Sequence, residues 1–318
     1  MVLSIIICTY NRHDFLKKCL ESVLEQTKKS TTELEIIIVD NNSNDKTDIL
    51  IKSFKKKYEN IIYLLEKKQG LSYARNLGVH MSKGDYLAFI DDDAVINPNW
   101  LNTLLYSIQN IKAEVFGGPI YPYFENKLPC WIDPEYFVRT FKKQDGYLNI
   151  LKSKFGFSGG NMCIKRTVFD EIGSFNTNLG MIGDNLGLGE ESDFFYRIYT
   201  NLSNVKLYNL KEMSITHFEG NFKFKKEYLR KRILLSSKQF ANHHLVSNKF
   251  KGYIFICAKI IKQSIDLILN TICPKFIMKY NKFNKLKSYS IIKGLLMVLL
   301  TKNKKNLNLF INLFLVYF

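Results

Sequence analysis

The sequence predicts an α/β fold: a mostly parallel sheet flanked by helices, followed by a basic helical extension. Three observations carry this. Over the first 120 residues, short β-branched apolar runs alternate with amphipathic stretches. Polar clusters stand directly after three of those runs. Charge is divided: residues 1–219 hold 26 Lys+Arg and 27 Asp+Glu, whereas residues 220–318 hold 20 and 2. The alternation implies a parallel sheet covered on both faces. The charge step marks a domain boundary, giving a body of residues 1–220 and an extension of residues 221–318.

The elements follow in order. Strand-like runs are Leu3 to Cys8, Glu35 to Val39, Ile61 to Leu65, Tyr86 to Ile90 and Glu114 to Phe116. Between them, Phe15, Cys19, Ser22, Val23 and Gln26 share one helical face; Ile49, Leu50, Ser53 and Phe54 mark a second helix, and Leu71 to Met81 a third. From 120 to 157 the chain turns aromatic and proline-punctuated, with Pro119, Pro122, Pro129 and Pro134, which reads as loop. Phe157 to Ile164 reads as a strand carrying Gly159 and Gly160. Adjacent glycines there point to a bulge or a close backbone approach. A short helix over Thr167 to Ile172, a Gly-rich loop from Gly180 to Gly189 and a helix over Phe194 to Tyr199 complete the body.

In parallel sheets ligands bind beyond the carboxyl ends of the strands. Three polar clusters sit there: Thr9-Tyr10-Asn11-Arg12, Asp40-Asn41-Asn42-Ser43 and Asp91-Asp92-Asp93. Three adjacent carboxylates repel, and a divalent cation with hard-oxygen preference, Mg2+ or Mn2+, compensates them and binds phosphate oxygens. A metal held by Asp91 and Asp93 would stabilise a departing nucleoside diphosphate. Glu190, Glu191 or Asp193 would supply a general base for an attacking hydroxyl. Asp40 and the Thr9–Arg12 loop would hold the nucleoside, and Arg75 would meet phosphates or form an ion pair.

These residues resemble family 2 glycosyltransferases of the GT-A fold. Ser4 to Arg12 is similar to their first strand and nucleotide loop, and Glu35 to Ser43 to their second strand and base-binding turn. Gly70 to Gly78 resembles the helix that brings an arginine to the site, and Gly84 to Asp93 the strand bearing their Asp-x-Asp signature. Gly159-Gly160-Asn161 resembles an acceptor-side segment, and Gly189-Glu190-Glu191-Ser192-Asp193 the acidic motif containing the base. Motifs in the right order over residues 1–220 are more specific than any single one. The resemblance implies that Thr9, Tyr10, Asn11, Arg12, Asp40 and Asn42 bind the nucleoside of a nucleotide-sugar, most often UDP-linked. It implies that Arg75, Asp91 and Asp92 lie near base, ribose and phosphates, and that Asp93 ligates the metal. Relatives commonly carry Glu-Asp where this chain has Glu190-Glu191, which puts the base position on Glu191 with a side chain one methylene longer. His217 is a further candidate ligand for metal or diphosphate, and Trp131 a candidate for stacking on an acceptor sugar. Residues 1–119 would be the nucleotide-binding half and 120–220 the acceptor-binding half. No Gln-x-x-Arg-Trp motif occurs. The resemblance therefore implies an inverting enzyme of single addition, building surface polysaccharide or another glycan on a glycan or lipid-linked acceptor.

The six cysteines (Cys8, Cys19, Cys130, Cys163, Cys257 and Cys273) are scattered, with no Cys-x-x-Cys pair. They signal neither zinc nor a disulfide framework and fit free thiols in a reducing compartment. No basic leader precedes the first strand, so a secretory signal is not expected. In the extension, Lys259, Lys262, Gln263, Asp266 and Asn270 form a polar stripe within Tyr253 to Cys273, and the remainder is apolar. The charged residues argue against a span, and Ile291 to Leu300 and Leu307 to Phe318 are too short to cross alone. Basic amphipathic helices lying on an anionic membrane surface fit this pattern, placing the chain in the cytoplasm at the inner face. Two rival functions fit less well. A nucleotidyltransferase acting on sugar phosphates would need a Gly-rich triphosphate loop early in the chain, and Thr9 to Asp14 is not one. Nucleic-acid binding by the extension is disfavoured, because its apolar faces have no use in phosphate contact.

Overall fold

The computed structural model describes residues 2–28, 30, 32–140, 144–149, 156–247, 249–272 and 280–302. The chain forms two compact units. The first comprises Met1–Glu125 and Glu135–Glu219, the second Asn126–Pro134 and Gly220–Phe318.

The first unit opens as four strands alternating with three helices: β1 (Leu3–Thr9), α1 (His13–Thr27), β2 (Leu34–Asp40), α2 (Thr47–Lys55), β3 (Ile61–Leu65), α3 (Leu71–Met81) and β4 (Tyr86–Asp91). Then come β5 (Ala94–Ile96), α4 (Trp100–Asn110), β6 (Val115–Gly117), β7 (Ile120–Tyr123) and β8 (Gly146–Leu148). It closes with β9 (Asn161–Lys165), α5 (Arg166–Ile172), α6 (Glu190–Asn201), β10 (Leu207–Asn209) and β11 (Ile215–Phe218).

Among the described residues the main sheet has eight strands in the order β3-β2-β1-β4-β9-β6-β10-β8. The pairs β1–β2, β1–β4, β2–β3 and β6–β10 are parallel. The period of two splits the strand residues between two cores. Ile5, Ile7, Ile36, Ile38, Ala88 and Ile90 pack with α1 and α4 on one face. Ile6, Ile37, Val39, Leu87 and Phe89 pack with α3 and α6 on the other. Burial on both faces is why these strands read as continuous apolar runs.

The structure corrects the sequence reading at three places. β9 runs antiparallel between β4 and β6, so the Glu114–Phe116 run does not continue the parallel series from β4. β9 begins at Asn161, and Gly159 and Gly160 lie in the turn before it rather than inside a strand. The stretch read as loop contains β7, β8 and a short 3-10 helix, Pro134–Tyr136. β7 and β5 flank β11 in a second, three-stranded sheet that carries His217.

The second unit is helical: α7 (Lys226–Ser247), α8 (Lys249–Ile272) and α9 (Asn281–Lys302). They meet through a core of Ala241, Leu245, Ile256, Ile260, Leu295 and Val298. The polar stripe of α8 turns largely inward. Asn270 is buried, Gln263 donates to Asp266, and Lys259 stacks on the Phe240 ring. Its apolar stripe faces out instead: Ile254, Ile261 and Ile265 are 55%, 58% and 51% exposed. Among the described residues no helix is long and apolar enough to cross a membrane. Leu307 to Phe318 and Cys273 lie outside the described residues.

Candidate active site

Parallel pairing brings the three predicted clusters together. Thr9 sits in register with Asp40, and Cys8 with Asp91, so the ends of β1, β2 and β4 share one edge. The turn after β1 places Asn11 at a positive φ of 52°, where its side chain accepts from the Asn44 N–H at 2.7 Å. Asp40 is buried and accepts from the Ser43 N–H at 2.8 Å and the Tyr63 hydroxyl at 3.2 Å. Asn42 is exposed with φ 65°. Its neighbour Asn41, read from the sequence as part of the cluster but given no role of its own, is buried. It donates to the carbonyls of Glu66 and Lys68 and accepts from the Gly70 N–H at 2.8 Å, tying the end of β2 to the start of α3.

The acidic triplet is divided by its surroundings. Asp92 is buried, and burial pushes its carboxyl up to about 6 against the pull of Arg12. The Arg12 guanidinium stands 3.1 Å from Asp92 and 2.9 Å from Asp93. Asp93 turns its other oxygen to His217 Nε2 at 3.1 Å, and Asp91 lies 3.9 Å from the same nitrogen. Asp91, Asp93 and His217 therefore offer ligand atoms all within 4.8 Å of one another. Two carboxylates and one imidazole make a donor set that fits a divalent transition-type cation.

Arg75 joins this cluster to the second acidic motif. It is buried on α3, with one nitrogen 3.0 Å from Glu190 and 3.5 Å from Glu191, and the other 3.5 Å from Asp91. Glu190 and Glu191 occupy the first turn of α6, entered through Gly189 at φ 105°, where the helix dipole favours acidic side chains. Their environments part them. Burial, reinforced by the charge of Glu191, pushes Glu190 up to about 8. Glu191 is itself penalised by burial, but the Arg75 charge and hydrogen bonds outweigh that and hold it below the usual carboxylate range. One of its oxygens accepts the Gly159 N–H at 3.1 Å. The Gly159–Gly160 turn is required to be small: a Cβ on Gly159 would overlap Arg75 and Glu191, and one on Gly160 would overlap the Asp91 carboxylate.

Three candidates are placed differently. Asp193 pairs with Arg197 at 2.9 Å, and Arg197 also donates to the carbonyls of Ile172 and Ser174, so this carboxylate anchors α6 to the loop after α5. Asn161 is buried with its amide committed to Trp100 Nε1 and the carbonyls of Pro119 and Met213. It braces the two sheets and has no face left for an acceptor. Trp131 belongs to the second unit, half-buried against Phe283 with Lys226 over its ring. Tyr10 is half-buried beside the Arg12 turn.

Comparison with known proteins bears on the family and the fold. The sequence model described as Glycosyl transferase family 2 matches residues 4–173. Glucosyl-dolichyl phosphate glucuronosyltransferase of Haloferax volcanii is 29% identical over 220 residues, covering 68% of this chain and 69% of that enzyme. Among solved structures, the mannosyltransferase PcManGT of Pyrobaculum calidifontis, in complex with GDP-Man and Mn2+, aligns with a TM-score of 0.59 at 13% identity, over 95% of this chain and 88% of that one. S. aureus TarS in complex with UDP-GlcNAc aligns at 0.54 and 17% identity, over 92% and 90%. At such identities the structural likeness establishes the fold.

Proposed function

This chain belongs to glycosyl transferase family 2, and from that premise we propose that it transfers a sugar from a UDP-linked donor, with inversion, to a lipid-linked glycan acceptor. The observation that carries the reading is Arg75. One buried guanidinium spans Asp91 of the metal-ligand cluster and Glu191 of the acidic motif, holding a candidate leaving-group site and a candidate base on one rigid frame.

Glu191 acts as the general base. It is kept ionised by Arg75 and oriented by the Gly159 N–H. The acceptor hydroxyl attacks the anomeric carbon as its proton passes to Glu191, and the bond from that carbon to the diphosphate oxygen breaks. Asp91, Asp93 and His217 would hold Mn2+ or Mg2+, the mixed oxygen and nitrogen donors favouring Mn2+. That ion supplies Lewis-acid stabilisation of the departing diphosphate. Thr9, Tyr10, Asn11, Asp40 and Asn42 border the nucleoside, and residues 120–220 supply the acceptor side. A lipid-linked acceptor is supported by the dolichyl phosphate substrate in the name of the Haloferax relative. It also accords with a second unit whose strongly basic charge and exposed α8 stripe suit the inner face of an anionic membrane.

A thermal-shift screen of nucleotide-sugars with Mn2+ tests the donor, since a ligand bound only by the native state raises apparent stability. UDP-sugars are expected to shift the wild type and not Asp93→Ala. Glu191→Gln is expected to keep the donor-induced shift and lose transfer. Full transfer by Asp93→Ala would refute the metal role, and full transfer by Glu191→Gln the base.

A further inference from the structure

We propose that Glu219 is the positioning residue of the metal-ligand cluster, acting through the far nitrogen of His217. The inference rests on the reading that Asp91, Asp93 and His217 hold a divalent cation. His217 and Glu219 are two residues apart along an extended chain, so both project to the same side. The side chain of Glu219 is 1% exposed, and one of its oxygens lies 3.1 Å from His217 Nδ1. The other imidazole nitrogen, Nε2, is the one that faces Asp93 and Asp91. The imidazole thus stands between a buried carboxylate and the candidate ligands.

The chemistry follows from the tautomer. A neutral imidazole ligates through a nitrogen lone pair, which requires its proton on the other nitrogen. A Glu219 carboxylate, 3.1 Å from Nδ1, would hold that proton there as acceptor and leave the Nε2 lone pair to the cation. Carboxylate partners of this kind orient metal-bound histidines and raise their basicity. Glu219 is not itself a ligand, because the ring separates it from the cluster. Burying its charge needs further support, and Arg139 provides it at 3.8 Å. The same guanidinium donates to Ser158 Oγ at 3.2 Å, so the support reaches the turn that carries Gly159 and Gly160. The Glu219 N–H is fixed on the Tyr123 carbonyl, which anchors the residue independently of its carboxylate.

The test titrates Mn2+ against the full chain in the presence of UDP, following free Mn2+ by its paramagnetic resonance signal. Glu219→Gln is nearly isosteric, but its amide can present either oxygen or NH2 to Nδ1 and so no longer dictates the tautomer. It is expected to melt near the wild-type temperature while Mn2+ affinity falls about 10- to 100-fold. Ring 15N shifts of His217 are expected to report Nδ1–H in the wild type and a mixed population in the variant. Glu219→Asp, which keeps a carboxylate, is expected to recover the tautomer signature at least in part. Wild-type affinity and an unchanged tautomer in Glu219→Gln, alongside weakened binding in His217→Ala, would overturn the inference and leave the metal site standing. If the wild type bound no Mn2+, the metal reading would fall first and this one with it.

Discussion

Glu190 and Glu191 are neighbours of the same type, and only their surroundings tell them apart. Glu190 is buried with its carboxyl raised to about 8. Its folded-state value exceeds the unfolded one, so its protonated form contributes stability at low pH that is lost as pH rises toward about 8. Below that pH it is a neutral group beside an ionised base, which is how adjacent carboxyls divide their roles. Glu190→Gln mimics the protonated form. It is expected to retain most transfer activity at pH 7 and to keep activity further into the alkaline range than the wild type. A pH–rate profile checks this, and a collapse of activity at pH 7 would make the Glu190 charge essential. Gly160→Ala addresses the opposite wall, where a Cβ would push the Asp91 carboxylate aside. Mn2+ affinity is expected to drop at least tenfold with UDP affinity less affected, measurable by calorimetry. At this scale the sequence disclosed the charged motif residues, because charges crowded at strand ends are costly without a ligand. It did not disclose the roles of Asn41, Arg139 or Glu219. Asn41 and Arg139 gain their meaning from distant partners, the Gly70 N–H and Ser158, and Glu219 from the burial that sets its side chain against His217.

Among elements, the first half of the sheet was legible and the second only in part. β1 to β4 are buried and long enough to show as apolar runs. β8 and β10 have three residues each, below the length at which alternation can be recognised, whereas β6 was read as a strand but not its place in the sheet. The insertion of β9 beside β4 is a long-range pairing that no local pattern encodes. It matters for the site, because the turn before β9 delivers Gly159 to Glu191 and Gly160 to Asp91. The placement of α6 rests on a different device, the Arg197 clamp on Asp193 and two carbonyls. Hydrogen bonds to a charged group contribute about 1.5–3 kcal/mol when partly buried. Arg197→Met is therefore expected to destabilise the chain by about 1–3 kcal/mol, read by denaturant midpoint. Transfer is expected to fall with Mn2+ affinity unchanged, since Asp91, Asp93 and His217 stand on and beside strands that α6 does not carry. Equal losses of metal binding and transfer would show that the clamp supports the whole site rather than the base alone.

For the whole molecule the charge division was visible in composition, but the sense of the amphipathic helix was not. A polar stripe on a basic helix normally faces water. In α8, Asn270 is buried, Gln263 and Asp266 are half-buried and bond along the helix, Lys259 lies over the Phe240 ring, and the apolar stripe is left outside. Ile254, Ile261, Ile265 and Ile268 follow one another at helical spacing along about 21 Å of helix at the usual rise. Lys262 is exposed at its flank. Burying one isoleucine contributes about 1.5–3 kcal/mol, and each lysine near an anionic surface about 1 kcal/mol. Lysines alone would give binding that salt abolishes; lysines with the stripe would give binding that salt only weakens. The double variant Ile261→Glu, Ile265→Glu separates the two. It removes apolar contact and adds negative charge without touching the core of Ile256 and Ile260. Sedimentation with vesicles containing phosphatidylserine is expected to show salt-resistant binding by the wild type and at least a tenfold loss in the variant. Transfer to a water-soluble acceptor is expected to be unchanged. Binding that persists in the variant would move membrane contact off α8. A change in oligomeric state without a change in vesicle binding would make the stripe a surface for a second copy of the chain.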